Sequence, residues 1–182
     1  IDLLINTTLN LWGESVAIFA GHPDLAFAEA LKDARINYLT PRSTGNDIVI
    51  ANSYAKASEA IISLAAAIPL VSSQGGDILI IANAPEGQVT HYLVGVFGKT
   101  TFACQYGQCT IPPNVNRVIV FTEYPHRGSS WFEEDERIIH LHNWDDVLKT
   151  LQGNHKDNAV VAVIPDATNQ YFDWYSSPAV DK

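Results

Sequence analysis

The chain has 182 residues, 47% of them hydrophobic, 10% aromatic and 17% charged, which is enough apolar material for one α/β domain with a core and too little chain for two independent ones. A net charge of -9 excludes the clustered Lys and Arg that hold phosphate backbones or anionic lipid, so neither nucleic acid nor a membrane is an expected partner. The longest apolar run, Ala60 to Val71, is broken by Ser63 and Pro69 and falls short of the ~20 residues that span a bilayer.

The first elements predicted are two strands, Asp2 to Leu9 and Ser15 to Gly21, joined by a turn at Asn10 to Glu14 into a hairpin. His22-Pro23 gives a stiff entry to a helix capped by Asp24, with Leu25, Ala28, Leu31 and Ala34 at helical spacing. A polar break follows at Thr40 to Asn46. From Asp47 the pattern becomes short, wholly apolar strands separated by helices: Ile48 to Ile50, a helix over Ser58 to Val71, and Ile78 to Ile81. Gly75-Gly76 reads as a helix C-cap and turn, because a dinucleotide fingerprint would have to follow a strand and open a helix. Arg117 to Phe121 and Ile138 to Leu141 are further strands, Asn143 caps a helix from Trp144 to Leu151, and Ala159 to Ile164 is the last strand, ended by Pro165. Continuous apolar strands alternating with helices require a sheet covered on both faces. The expected fold is therefore a Rossmann-like, three-layer α/β sandwich with a mostly parallel sheet and an N-terminal hairpin. Residues 1–46 form the hairpin and leading helix, and 47–166 the core.

Ligands of open parallel sheets sit at the carboxyl ends of the strands, which directs attention to two loops. After the strand at Ile48, Asn52, Tyr54 and Lys56 offer a carboxylate or hydroxyl clamp; the plainer alternative is that Asn52 and Ser58 cap the turn and helix while Lys56 is solvated. After the strand at Ile78, Glu86 or His91 offers a general acid or base, against an ordinary Pro-Glu-Gly turn and a surface histidine. Cys104 and Cys109 lack the second Cys or His pair of a structural zinc site, and two cysteines fit a reduced cytoplasm. His140 and His142 share one strand face without a convergent third ligand. The acidic run Glu133 to Glu136 reads as solvated, beside Trp131 and Phe132, which could pack against another domain. With no methionine and Ile1 as its first residue, the chain reads as a piece of a longer polypeptide.

Several segments resemble the C-terminal domain of the nickel-dependent lactate racemase family: Ile5 to Asn10 with Val16 to Gly21, Asp47 to Tyr54, Gly75 to Asp77, Ala84 to Leu93 through Gly95 and Phe97-Gly98, and the tail Ala159 to Asp166. The resemblance implies a lid over a nickel-pincer nucleotide, with the tethering lysine, nickel-binding histidine and catalytic histidines on an N-terminal domain absent from this sequence. No catalytic or metal-binding residue is then expected here. It also implies a 2-hydroxy acid racemase or epimerase that moves a hydride through a planar 2-keto intermediate. Lactate racemases carry a Tyr-Gln pair and a Lys three residues later at positions that fall here on Glu59, Ala60 and Ser63. That departure implies a substrate other than lactate, recognised by Tyr54, Lys56 and Glu59 with Asn52, Glu86, Gln88 and His91. The competing readings are a non-catalytic small-molecule-binding module and, more remotely, a transferase using Glu86 and His91.

Overall fold

The computed structural model describes residues 1–89, 111–125 and 135–172, so His91, Cys104, Cys109, Trp131, Phe132 and the start of the acidic run lie outside the described residues. The chain divides into two compact units. One comprises Ile1–Arg42 with the return of the chain from Asn169, and the other Ser43–Thr168.

In the larger unit five strands form one parallel sheet: β4 (Ile48–Asn52), β5 (Gly76–Ile81), β6 (Val115–Phe121), β7 (Ile138–Leu141) and β8 (Val161–Ile164). Their order is β7-β6-β5-β4-β8. Helix α2 (Ala60–Ala67) joins β4 to β5, and α3 (Trp144–Asn154) joins β7 to β8. Because the step from β4 to β5 and the step from β7 to β8 cross the sheet in opposite directions, right-handed crossovers put the two helices on opposite faces. The packing agrees. Helix α2 lies against β4 and β5, whereas α3 sends Val147 and Leu151 into a cluster with Ile48, Leu79, Ile119 and Phe121. This is the Rossmann-like α/β sandwich that the strand pattern predicts. Val49, Ile78, Leu79, Ile80, Val118 and Ile119 are fully buried, and each such side chain stabilises the fold by about 1.5–3 kcal/mol relative to exposure.

The boundaries differ from expectation for local reasons. The stretch 58–71 is not one helix. A 3-10 turn at Tyr54–Lys56 precedes it, and it holds α2 and then a second 3-10 turn at Ile68–Leu70, where Pro69 cannot donate to the α-helical ladder. Gly76 is no helix cap; it opens β5, while Gly75 turns at φ +114°. A Cβ at Gly76 would lie 2.7 Å from the Asp47 carbonyl oxygen, so only glycine fits that approach. Asn143 caps α3 as expected, its Oδ1 accepting from the Asp145 N–H.

The smaller unit contains the hairpin of β1 (Leu4–Leu9) and β2 (Ser15–Gly21), helix α1 (Pro23–Asn37), and the two-residue strands β3 (Leu39–Thr40) and β9 (Tyr171–Phe172), which pair in parallel. Helix α1 starts at Pro23 with His22 in the capping position and without a side-chain cap, so Asp24 lies in the first turn rather than before it. Its buried residues are Ala26 and Ala30, while Leu25 and Leu31 are exposed. The stripe of larger apolar residues therefore points away from the hairpin. Small residues let the helix approach closely, and two polar links fix it: the Thr8 hydroxyl donates to Asp33 at 2.7 Å, and the Tyr38 hydroxyl accepts from the Leu9 N–H at 2.7 Å and donates to its carbonyl.

Candidate functional site

All five strands of the larger unit are parallel, so their carboxyl ends share one edge of the sheet, and five loops meet along it. Each neighbouring pair of loops is tied by hydrogen bonds. The Ala167 N–H donates to the Asn52 carbonyl at 2.8 Å, joining the loops after β8 and β4. Gln88 joins those after β5 and β4: its Oε1 accepts from the Ala60 N–H at 2.9 Å and its Nε2 donates to the Ala57 carbonyl at 2.8 Å. Asn83 and Glu123 bond reciprocally at 2.9 Å, joining the loops after β5 and β6. His142 Nδ1 meets the Thr122 carbonyl at 2.8 Å, joining those after β6 and β7. A carbonyl only accepts, so Nδ1 carries the proton, and in the neutral imidazole Nε2 is the acceptor.

Beneath this rim Ser63 donates to Ser53 at 2.8 Å, both hydroxyls fully buried. The Asp166 carboxylate, also buried, accepts from the Thr168 hydroxyl at 2.9 Å. Pro165-Asp166 stands directly after the last strand, the position that singled out the other two loops, and the same rule would have found it.

Asn52 Oδ1 accepts from the Tyr54 N–H at 3.1 Å, which leaves its Nδ2 as a donor. The turn so formed holds Tyr54 at φ +26°, the one described non-glycine residue with positive φ. Backbone strain of this kind concentrates at sites over-determined by their surroundings. Tyr54 is 52% exposed, and Lys56 is exposed one turn on. Asn52, Tyr54 and Lys56 thus stand together on one loop. Glu59 occupies the capping position of α2 and is half-buried, Glu86 is exposed in the turn after β5, and both polar ends of Gln88 are engaged in holding that turn to α2. Gln88 orders the rim rather than reaching outward. Ser63, where the resemblance looks for a lysine, is inside the core.

Two groups at the amino end of β6 and β7 are electrostatically shifted. The Arg137 guanidinium, hydrogen-bonded to Asp135, holds that carboxyl below its ordinary value of 3.8, and the same bond raises the guanidinium. They belong to the frame, at the edge opposite the rim. Among the described residues no three of His, Cys, Asp and Glu are grouped to hold a metal ion, and no helix is long and apolar enough to cross a membrane.

No family model and no curated protein matches the sequence. Among solved structures, the lactate racemase apoprotein from Thermoanaerobacterium thermosaccharolyticum matches with a TM-score of 0.63 and 16% identity, over 94% of this chain and 46% of that one. The fold is lactate-racemase-like. At that identity the lactate-racemase-like architecture is what is shared, and this chain spans about half the length of the racemase it matches.

Proposed function

We propose that this chain is the C-terminal, substrate-covering half of a nickel-pincer-dependent 2-hydroxy acid racemase or epimerase, whose catalytic groups stand on a companion N-terminal half. The likeness to a lactate racemase over 94% of the chain supports this reading, together with the ordered run of resembling segments from Asp47 to Tyr54 and onward from Ala84. The resemblance assigns the pincer nucleotide, which would supply hydride acceptance when bound, to the companion half.

The tasks of this chain are binding, orientation and exclusion of water. Lys56 is a point charge for a substrate carboxylate, and Asn52 Nδ2 and the Tyr54 hydroxyl are donors to carboxylate or hydroxyl oxygens. Glu59 and Glu86 repel a second acidic group and so restrict the substrate's tail, with His91 as the remaining contact and Gln88 as the strut. A planar 2-keto intermediate keeps no memory of hand, so a rim that binds both enantiomers through the same carboxylate suits a racemase.

The test is interconversion of 2-hydroxy acid enantiomers by the gene's complete product supplied with cofactor. Lys56→Ala is expected to raise KM at least tenfold with little change in kcat, as loss of uniform binding does. No interconversion of any 2-hydroxy acid overturns the reading. The buried Ser63 in place of a lysine favours a second reading, a binding module without turnover, which predicts a saturable shift of Asn52 and Tyr54 resonances by 2-hydroxy acids and no exchange at the α-carbon.

A further inference from the structure

The hairpin of the smaller unit carries an exposed apolar face. Residues directly opposite in an antiparallel pair share a face, and the register sets Ile5 opposite Ala20 and Thr7 opposite Ile18. Leu4, Asn6, Thr8, Ala17 and Phe19 therefore point the other way, toward α1, where Thr8 is buried on Asp33. The outward face carries Leu3, Ile5, Val16 and Ile18, exposed by 59%, 65%, 56% and 69%, with Thr7 and Ala20 and no charge. A half-solvated antiparallel ribbon ordinarily places apolar residues inward and polar ones outward, and a bare, flat apolar strand pair is an aggregation hazard unless something covers it.

The size of the face narrows what covers it. Four aliphatic side chains so exposed amount to roughly 300–400 Å², the range of the largest apolar patch on an ordinary monomer. A stable dimer needs about 800 Å² per partner, twice what this face offers. A covalently tethered partner needs far less, since tethering raises its effective concentration to the order of millimolar. A companion of that kind is what the length comparison leaves room for, because the racemase chain is about twice as long as the part this chain matches.

We propose that the outward face of β1-β2, centred on Ile5 and Ile18, is the docking surface for the companion half of the same polypeptide. This rests on the two-half reading of the protein but not on its chemistry. The companion brings an apolar, uncharged patch against the ribbon, whose apolar residues on both faces are then covered.

The experiment compares amide hydrogen exchange in the gene's complete product with exchange in the 182-residue chain. The β1 and β2 amides are expected to exchange at least tenfold more slowly in the complete product. Ile18→Lys is expected to abolish that difference while leaving the unfolding midpoint of the 182-residue chain unchanged, and the milder Ile18→Thr to give an intermediate rate. Equal protection in both polypeptides overturns the proposal, as does a gene that encodes no further domain. So does unfolding of the 182-residue chain by both variants, which would place the face inside its own core, or a dimer of that chain that Ile18→Lys converts to monomer, which would make the occupant a second copy. Racemase activity is scored separately: protection without turnover keeps the docking surface and removes the chemistry, and turnover without protection does the reverse.

Discussion

Arg137 has five N–H donors, and the fold gives each one an acceptor. Nε and one Nη2 proton go to the two oxygens of Asp135 at 2.9 and 2.7 Å, the other Nη2 proton to the Ile111 carbonyl at 2.8 Å, and Nη1 to the carbonyls of Pro112 and Val115 at 2.9 and 3.0 Å. Only a planar fork can do this. Arg137→Lys keeps the charge but cannot reach all these acceptors, and is expected to lower stability by roughly 1–3 kcal/mol in urea unfolding, the cost of carbonyls left partnerless. Because Arg137 holds the Asp135 carboxyl below 3.8, the pair's contribution is complete above the unfolded value near 3.8 and is lost as pH falls through the lowered folded value. Asp135→Asn should therefore unfold more easily than wild type at pH 5–7, with the gap closing as both are acidified below 3.8; a gap that widens on acidification refutes the assignment. At Tyr54 the positive φ reverses the usual ranking of small residues: Tyr54→Gly should be more stable than Tyr54→Ala by about 0.5–1 kcal/mol, and equal midpoints would mean the turn relaxes without strain. The Asn52 turn and the Asn143 cap were readable from sequence because an Asx side chain acts on the backbone two residues away. The engagement of Gln88 was not, since its acceptor and donor lie 28 and 31 residues off.

Helix and strand interiors were legible where composition was extreme and illegible where it was balanced. The apolar runs at Ile48, Ile78, Arg117 and Ile138 mark β4 to β7 because a strand covered on both faces admits little else. Periodicity finds helix α1 but not its buried face. Its buried face is built from Ala26 and Ala30, residues too small to register against Leu25 and Leu31. Strands β3 and β9 are two residues each and pair across 132 positions, Leu39 with Tyr171, so no local pattern marks them. Two glycines test the element boundaries by opposite signs. Gly76→Ala would drive a Cβ to 2.7 Å from the Asp47 carbonyl and 3.0 Å from that of Asn46, and since both are backbone the expected cost is more than about 2 kcal/mol. Gly153, in the last turn of α3, has nothing within 4 Å of an added Cβ. Gly153→Ala should stabilise by about 0.5–1 kcal/mol through helix propensity. Thermal midpoints moving in the same direction for both variants would contradict these placements.

Taken over the whole molecule, burial is unevenly shared between the two units. The larger one holds nearly every fully buried side chain, from Val49 and Leu64 to Ile119 and Val147, whereas the described buried residues of the smaller one are Thr8, Ala26, Ala30 and Phe172. A two-stranded hairpin is marginal unless a helix or further strands cover it, and here α1 covers one face with alanines. Local stability follows buried apolar contact. In the 182-residue chain the amides of β1, β2 and α1 should therefore open at a cost at least about 2 kcal/mol below that of β4, β5 and β6, exchanging some 30-fold faster or more. The ordering within the sheet has the same cause: β8, with Val161 and Val163 exposed at 47% and 62%, should exchange before β5, whose neighbours on both sides are strands. Exchange of the hairpin at the rate of β5 would mean that the smaller unit unfolds only with the larger one, and that its small buried face stabilises far more than area predicts.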